Sequence, residues 1–233
     1  MRRVSRAALW LPALTVTALL VGLNTARSQG AAPAGNPLAI NPAGPPDAAH
    51  GEALTGMRGC QGCHGPLGHS KESDNPSLGG QVPSYTTLQL AAFRAKLRPG
   101  VVMQKVAAGL SDQDIVDLAA YYAAQTPRDA WDANPALAAK GAQFYNEGAV
   151  ARGVTACVVC HGAGGRGNDE LHIASITHQS PKYTLEVLHE FKGVPDYHVP
   201  YPNAMHIVTT GMTEDELSEV TAYLSSMPVA KAK

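Results

Sequence analysis

The chain is poor in large side chains, in charge of one sign and in strand signals. Only 6% of its 233 residues are aromatic, with two Trp and three Phe. Whether the length makes one domain or two, a core built from so few large groups is thin. The formal net charge is −1, so no nucleic-acid partner is suggested. No run alternates apolar and polar residues in the manner of a strand. Beyond Leu23 no segment is apolar enough to cross a membrane. Cysteine is scarce too, at four in all.

What is present begins with an address. Arg2, Arg3 and Arg6 precede Ala7 to Leu23, an uncharged run of 17 residues. Ala26-Arg27-Ser28 has the small-x-small pattern of a signal-peptidase site, which predicts a signal peptide over residues 1–28. If it is retained, the run is just long enough to anchor the chain in a membrane. In both cases everything from residue 29 onward is expected to be exported. Residues 29–46, rich in Pro, Ala and Gly, read as a linker.

Export sharpens the question of the cysteines. All four fall in CQGCHGPLG (Cys60–Gly68) and CVVCHGAGG (Cys157–Gly165). In an oxidising compartment, four Cys suggest two disulfides. Paired Cys-x-x-Cys knuckles also suit a shared zinc. Neither reading explains why His64 and His161 follow the second Cys directly. Covalent haem does: Cys60 with Cys63, and Cys157 with Cys160, add across the porphyrin vinyl groups. The adjoining imidazole then sits under the iron as its proximal ligand. A buried haem in each half would also fill a core short of large side chains.

The repeat extends past these motifs. Gln81-Val82-Pro83-Ser84-Tyr85 matches Gln179-Ser180-Pro181-Lys182-Tyr183, and Leu90 and Phe93 match Leu188 and Phe191. Leu110-Ser111-Asp112-Gln113-Asp114 matches Met212-Thr213-Glu214-Asp215-Glu216. Ser111 and Thr213 are N-caps of helices with apolar positions at i, i+3, i+4 and i+7. Pro83 and Pro181 open two further helices, expected to end near Leu97 and Lys192. Under this register Met103 and Met205 coincide, seven residues before Leu110 and Met212, in what read as loops. An isolated Met usually fills a core gap. Two that coincide in a chain of six are candidate sixth ligands to iron. The other seven histidines read as surface or hydrogen-bonded residues, with His206 notable for adjoining Met205.

At residues 47–228 the chain resembles the dihaem cytochromes c4. Both Cys-x-x-Cys-His-Gly motifs carry the resemblance, with the run Asn134 to Gly141 and Leu-Ser-Asp-x-Asp before Leu118-Ala119-Ala120-Tyr121. It implies an all-α fold of two tandem class I cytochrome c domains, over 47–127 and 138–228. A linker over 128–137 joins them and a tail follows over 229–233. It implies two covalent haem c groups, with His64 and Met103 on the first iron and His161 and Met205 on the second. It also implies that the carbonyl of Pro76 accepts a hydrogen bond from His64. The second half has Ala174 at that place, which leaves the geometry there open.

A His/Met pair saturates the iron and raises its potential, which suits a carrier rather than a catalyst. The expected function is electron shuttling in the periplasm, within a respiratory chain. The donor is a membrane quinol-oxidising complex or a periplasmic dehydrogenase, and the acceptor a haem-copper oxidase. The alternatives are the cytochrome subunit of a periplasmic dehydrogenase and a dihaem peroxidase. Residues 47–127 hold six Lys/Arg and seven Asp/Glu, and residues 138–228 hold five and ten. The halves therefore differ in charge, at −1 against −5, and in what they attract.

Overall fold

The computed structural model describes residues 36–193 and 202–227. The expected signal segment and most of the proline-containing run from Gly193 to Pro202 lie outside them. Among the described residues the fold is helical, with two isolated β-bridges (Ala149 with Val154, Asn168 with Ile173) and no longer strand pairing.

The first half holds α1 (Ala48–Met57), α2 (Gln61–His64), α3 (Pro83–Arg94), α4 (Val101–Ala107) and α5 (Asp112–Ala123). The second repeats the order with α6 (Pro135–Glu147), α7 (Val158–His161), α8 (Pro181–Gly193), α9 (Pro202–Thr210) and α10 (Glu214–Ser226). Both last helices start in a capping box, Ser111 with Asp114 and Thr213 with Glu216. Asn134 caps α6 by accepting from the N–H groups of Ala136 and Leu137, and Pro135 stands at its first position.

In each half the first helix crosses the last at a glycine. A Cβ on Gly51 would lie 2.1 Å from the Asp117 carbonyl oxygen, and one on Gly141 would lie 1.9 Å from that of Glu219. Only the absence of a side chain permits so close a crossing. Behind it the first half buries Leu54, Leu110, Ile115, Leu118, Tyr121 and Tyr122. The second half's main cluster is larger and includes Phe144, Tyr145, Leu217, Leu224 and Met227.

Residues 36–46 are a strap rather than a free tether. The N–H of Asn41 donates to Asp112 (2.8 Å), and that of Gly44 to the Gln113 side chain (2.8 Å). Gln113 donates back to the Pro45 carbonyl, and Ile40 packs on the first-half core. Between the halves, Trp131 donates its ring N–H to the His178 carbonyl and its ring lies 3.8 Å from the Arg128 guanidinium carbon.

Candidate haem sites

Both Cys-x-x-Cys-His motifs form one helical turn. The His64 N–H donates to the Cys60 carbonyl (3.0 Å), and the His161 N–H to that of Cys157 (2.9 Å). The first thiol and the imidazole therefore share a face, four residues apart. Gly65 (φ 74°) and Gly162 (φ 76°) end the turns in the left-handed region, which favours glycine. No disulfide joins any two of the four cysteines. Burial pushes Cys60 up and Cys157 to about 11, so neither is a thiolate poised for exchange. Among the described residues no three His, Cys, Asp or Glu side chains converge to hold a metal ion, so the two knuckles do not share zinc.

Both motif histidines are buried. Burial pushes their pKa values down, against a carbonyl bond that pulls up, and the rings are neutral at pH 7. His64 Nδ1 lies 2.9 Å from the Pro76 oxygen, and His161 Nδ1 lies 2.9 Å from that of Ala174. A carbonyl accepts, so Nδ1 carries the proton and Nε2 keeps its lone pair for a metal. The alanine thus does the work of the proline: the peptide carbonyl is what the bond needs, and the distance is unchanged.

Met103 and Met205 are half-buried and lie on the short helices α4 and α9, not in loops. Neither helix announces itself in the sequence; Gly100 at the start of α4 makes no side-chain cap. His206 does not hang free beside Met205. Its Nδ1 donates to the Phe191 carbonyl (2.8 Å), tying α9 to the end of α8. Gln104, one residue after Met103, donates to the Arg98 carbonyl (2.8 Å) in the same manner.

A feature that sequence reasoning missed lies between the halves. Tyr85 and Tyr183, matched in the repeat, both stand near Arg98. Arg98 also donates to Gln89 (2.7 Å) and lies over the Phe93 ring at 4.8 Å. Among the described residues it has no carboxylate at ion-pair distance. Burial pushes the Tyr85 phenol up to about 12, so it stays a donor at neutral pH. A guanidinium flanked by two phenols suits an anion.

Each half thus offers two thiols and a neutral imidazole on one turn, and a thioether on a separate helix. A porphyrin iron attached through thioether bonds fits that donor set. The cytochrome c family matches residues 48–124 and 138–228, one match per half. Cytochrome c4 of Thiocapsa roseopersicina is 37% identical over 169 residues, covering 72% of this chain and 86% of that one. The crystal structure of reduced recombinant cytochrome c4 from Pseudomonas stutzeri superposes with a TM-score of 0.72 at 28% identity, covering 78% of this chain and all of that one. The thiosulfate dehydrogenase electron acceptor of Thiomonas intermedia (strain K12) is 29% identical over 194 residues, covering 82% of this chain and 84% of that one.

Proposed function

Because this chain belongs to the cytochrome c family and, within it, to the dihaem cytochromes c4, we propose that it shuttles electrons through the periplasm between respiratory partners. It is an electron carrier with two covalently bound haem c groups, one in each tandem cytochrome c domain. When bound, each haem supplies a one-electron Fe(II)/Fe(III) couple.

The chain's own residues set that couple. Cys60 and Cys63 would hold the first haem, and Cys157 and Cys160 the second. His64 with Met103 would hold the first iron, and His161 with Met205 the second. The bond from each Nδ1–H to the Pro76 or Ala174 carbonyl fixes the ring plane and raises the basicity of Nε2. Arg98, Tyr85 and Tyr183 would receive haem carboxylates between the halves. A histidine and a methionine on each iron would leave no open position for peroxide, which argues against a peroxidase.

The observation that carries this reading is the doubling. The same turn, the same 2.9 Å bond and a methionine at the same register occur in each half. A redox titration with spectra of each haem tests it. Met103→Ala and Met205→Ala should each lower one potential, by on the order of 0.2 V out of the roughly 0.8 V range that axial ligands span. If either variant leaves both potentials in place, that methionine is no ligand.

The donor would be a membrane quinol-oxidising complex or a periplasmic dehydrogenase, and the acceptor a haem-copper oxidase. The likeness to a thiosulfate dehydrogenase electron acceptor favours a dehydrogenase as donor. The different charge of the halves supports separate docking faces for donor and acceptor. Stopped-flow reduction by a thiosulfate dehydrogenase, set against reduction by a quinol-oxidising complex, decides between the donors. Among the described residues no helix is long and apolar enough to cross a membrane; anchoring would fall to residues 1–28.

A further inference from the structure

The peptide that receives each Nδ1–H is held from the opposite half. Gln179 accepts from the Ser77 N–H (2.8 Å) and donates to the Ser77 carbonyl (2.8 Å). Gln81 accepts from the Ser175 N–H (2.8 Å) and donates to the Ser175 carbonyl (2.9 Å). Both glutamines are buried. A primary amide sets an acceptor and a donor side by side, which matches one residue's N–H and C=O.

The Ser77 N–H and the Pro76 C=O are opposite ends of one rigid peptide plane. The plane takes the His64 Nδ1–H at its oxygen and gives its N–H to Gln179. A continuous chain results, from imidazole through peptide to the amide of the other half. The same chain runs from His161 through the Ala174–Ser175 peptide to Gln81. Hydrogen bonds in series polarise one another, and a plane pinned at one end cannot tilt at the other.

We propose that Gln179 and Gln81 are positioning residues for the iron ligand of the opposite half, Gln179 for His64 and Gln81 for His161. The inference rests on those histidines being the proximal ligands. Loss of a glutamine leaves the peptide freer to tilt and less polarised. The Nδ1–H bond weakens, the imidazole becomes a poorer donor to iron, and Fe(III) loses stabilisation. The potential of the other half's haem then rises.

The test uses reduced holoprotein labelled with 15N-histidine, with each haem titrated separately. Gln179→Met keeps the length and removes both bonds. It should speed exchange of the His64 Nδ1–H and raise the first haem's potential, with His161 and the second haem unchanged. Gln81→Met should do the reverse. Gln179→Glu keeps an acceptor for the Ser77 N–H and should leave His64 near its wild-type exchange. Ser84→Ala removes a hydroxyl bond to the Asp169 carbonyl across the same interface, without touching either peptide, and should change neither histidine. The proposal is overturned if a Gln→Met variant acts on its own half, on both halves alike or on neither, or if Ser84→Ala acts as strongly. If the wild-type protein lacks ring-current-shifted His64 and His161 signals, the ligation reading fails and takes the proposal with it. Shifted signals that ignore the glutamines overturn the proposal alone.

Discussion

The two halves close the same fold by different means. Among the described residues the main core cluster of the second half joins nine buried side chains and that of the first joins six, and more of the first half's other buried positions are alanines (Ala91, Ala92, Ala107 and Ala119). The first half compensates with a strap: residues 36–46 lie along α5, tied to Asp112 and Gln113 and packed through Ile40. A strap held by backbone hydrogen bonds contributes less than apolar burial, since a net hydrogen bond is worth about 1 kcal/mol and a buried large side chain roughly 1.5–3. The first half should therefore lean harder on its haem.

Removing one haem at a time gives the largest effect and can break that comparison. Cys60→Ala with Cys63→Ala, and Cys157→Ala with Cys160→Ala, should each leave one of the two haems on the polypeptide. The first pair should leave residues 47–127 open to limited proteolysis, while the second leaves more helix in its own half. Equal protease sensitivity of the two variants would end the claim that the halves differ in self-sufficiency. A stable, haem-free first half would reverse it.

The helix crossings should sharpen the comparison by behaving alike. Replacing a helical glycine with alanine normally gains up to about 1 kcal/mol. At Gly51 and Gly141 the new Cβ meets a backbone carbonyl oxygen at 2.1 Å and 1.9 Å, which no rotamer change relieves. Overpacking typically costs about 1–3 kcal/mol and occasionally more, and contacts this close to backbone belong at the upper end, so the clash outweighs the propensity. Gly51→Ala and Gly141→Ala should each lower the midpoint of one thermal transition in the holoprotein by a similar amount. A neutral result at either glycine would mean that its crossing can open.

The features that could be read from the chain are the ones whose signals are local. Ser111 with Asp114 and Thr213 with Glu216 sit three residues apart, so their capping boxes stand in the sequence. The Cys-x-x-Cys-His turns are local in the same way. The helices α4 and α9 are short and carry no cap signal of that kind, and so Met103 and Met205 read as loop residues. Gln81 and Gln179 showed only as matching letters, because their partners lie 94 and 102 positions away. The strap read as linker since its composition is that of one; what holds it is Asp112 and Gln113, some 70 residues further on.

The smallest expected effect concerns the pair that guards each crossing. In the first half His50 Nδ1 lies 2.7 Å from the Asp117 carboxylate. One residue before the other crossing glycine, Lys140 lies 3.2 Å from Glu219. The hydrogen bond to Asp117 holds the His50 pKa above its ordinary value, and Asp114 and Asp47 add attraction. Burial would raise the Asp117 carboxyl, but the Asp47 N–H, His50 and Gln113 together hold it low. A histidine whose pKa is raised by folding contributes its full stabilisation below the unfolded value of about 6.5 and loses it as pH rises through the folded value. A lysine in that place keeps its charge across the range where histidine loses it. The first-half transition should therefore weaken slightly from pH 6 to pH 8.5 through this pair, while the Lys140–Glu219 pair adds no histidine-linked loss at the second crossing. His50 is exposed, so the change is small and should shrink further in high salt. His50→Lys should flatten the first-half profile, read as thermal midpoints at the two pH values. If the wild-type slope survives in His50→Lys, the pH dependence belongs to another group and the two crossings do not differ in this respect.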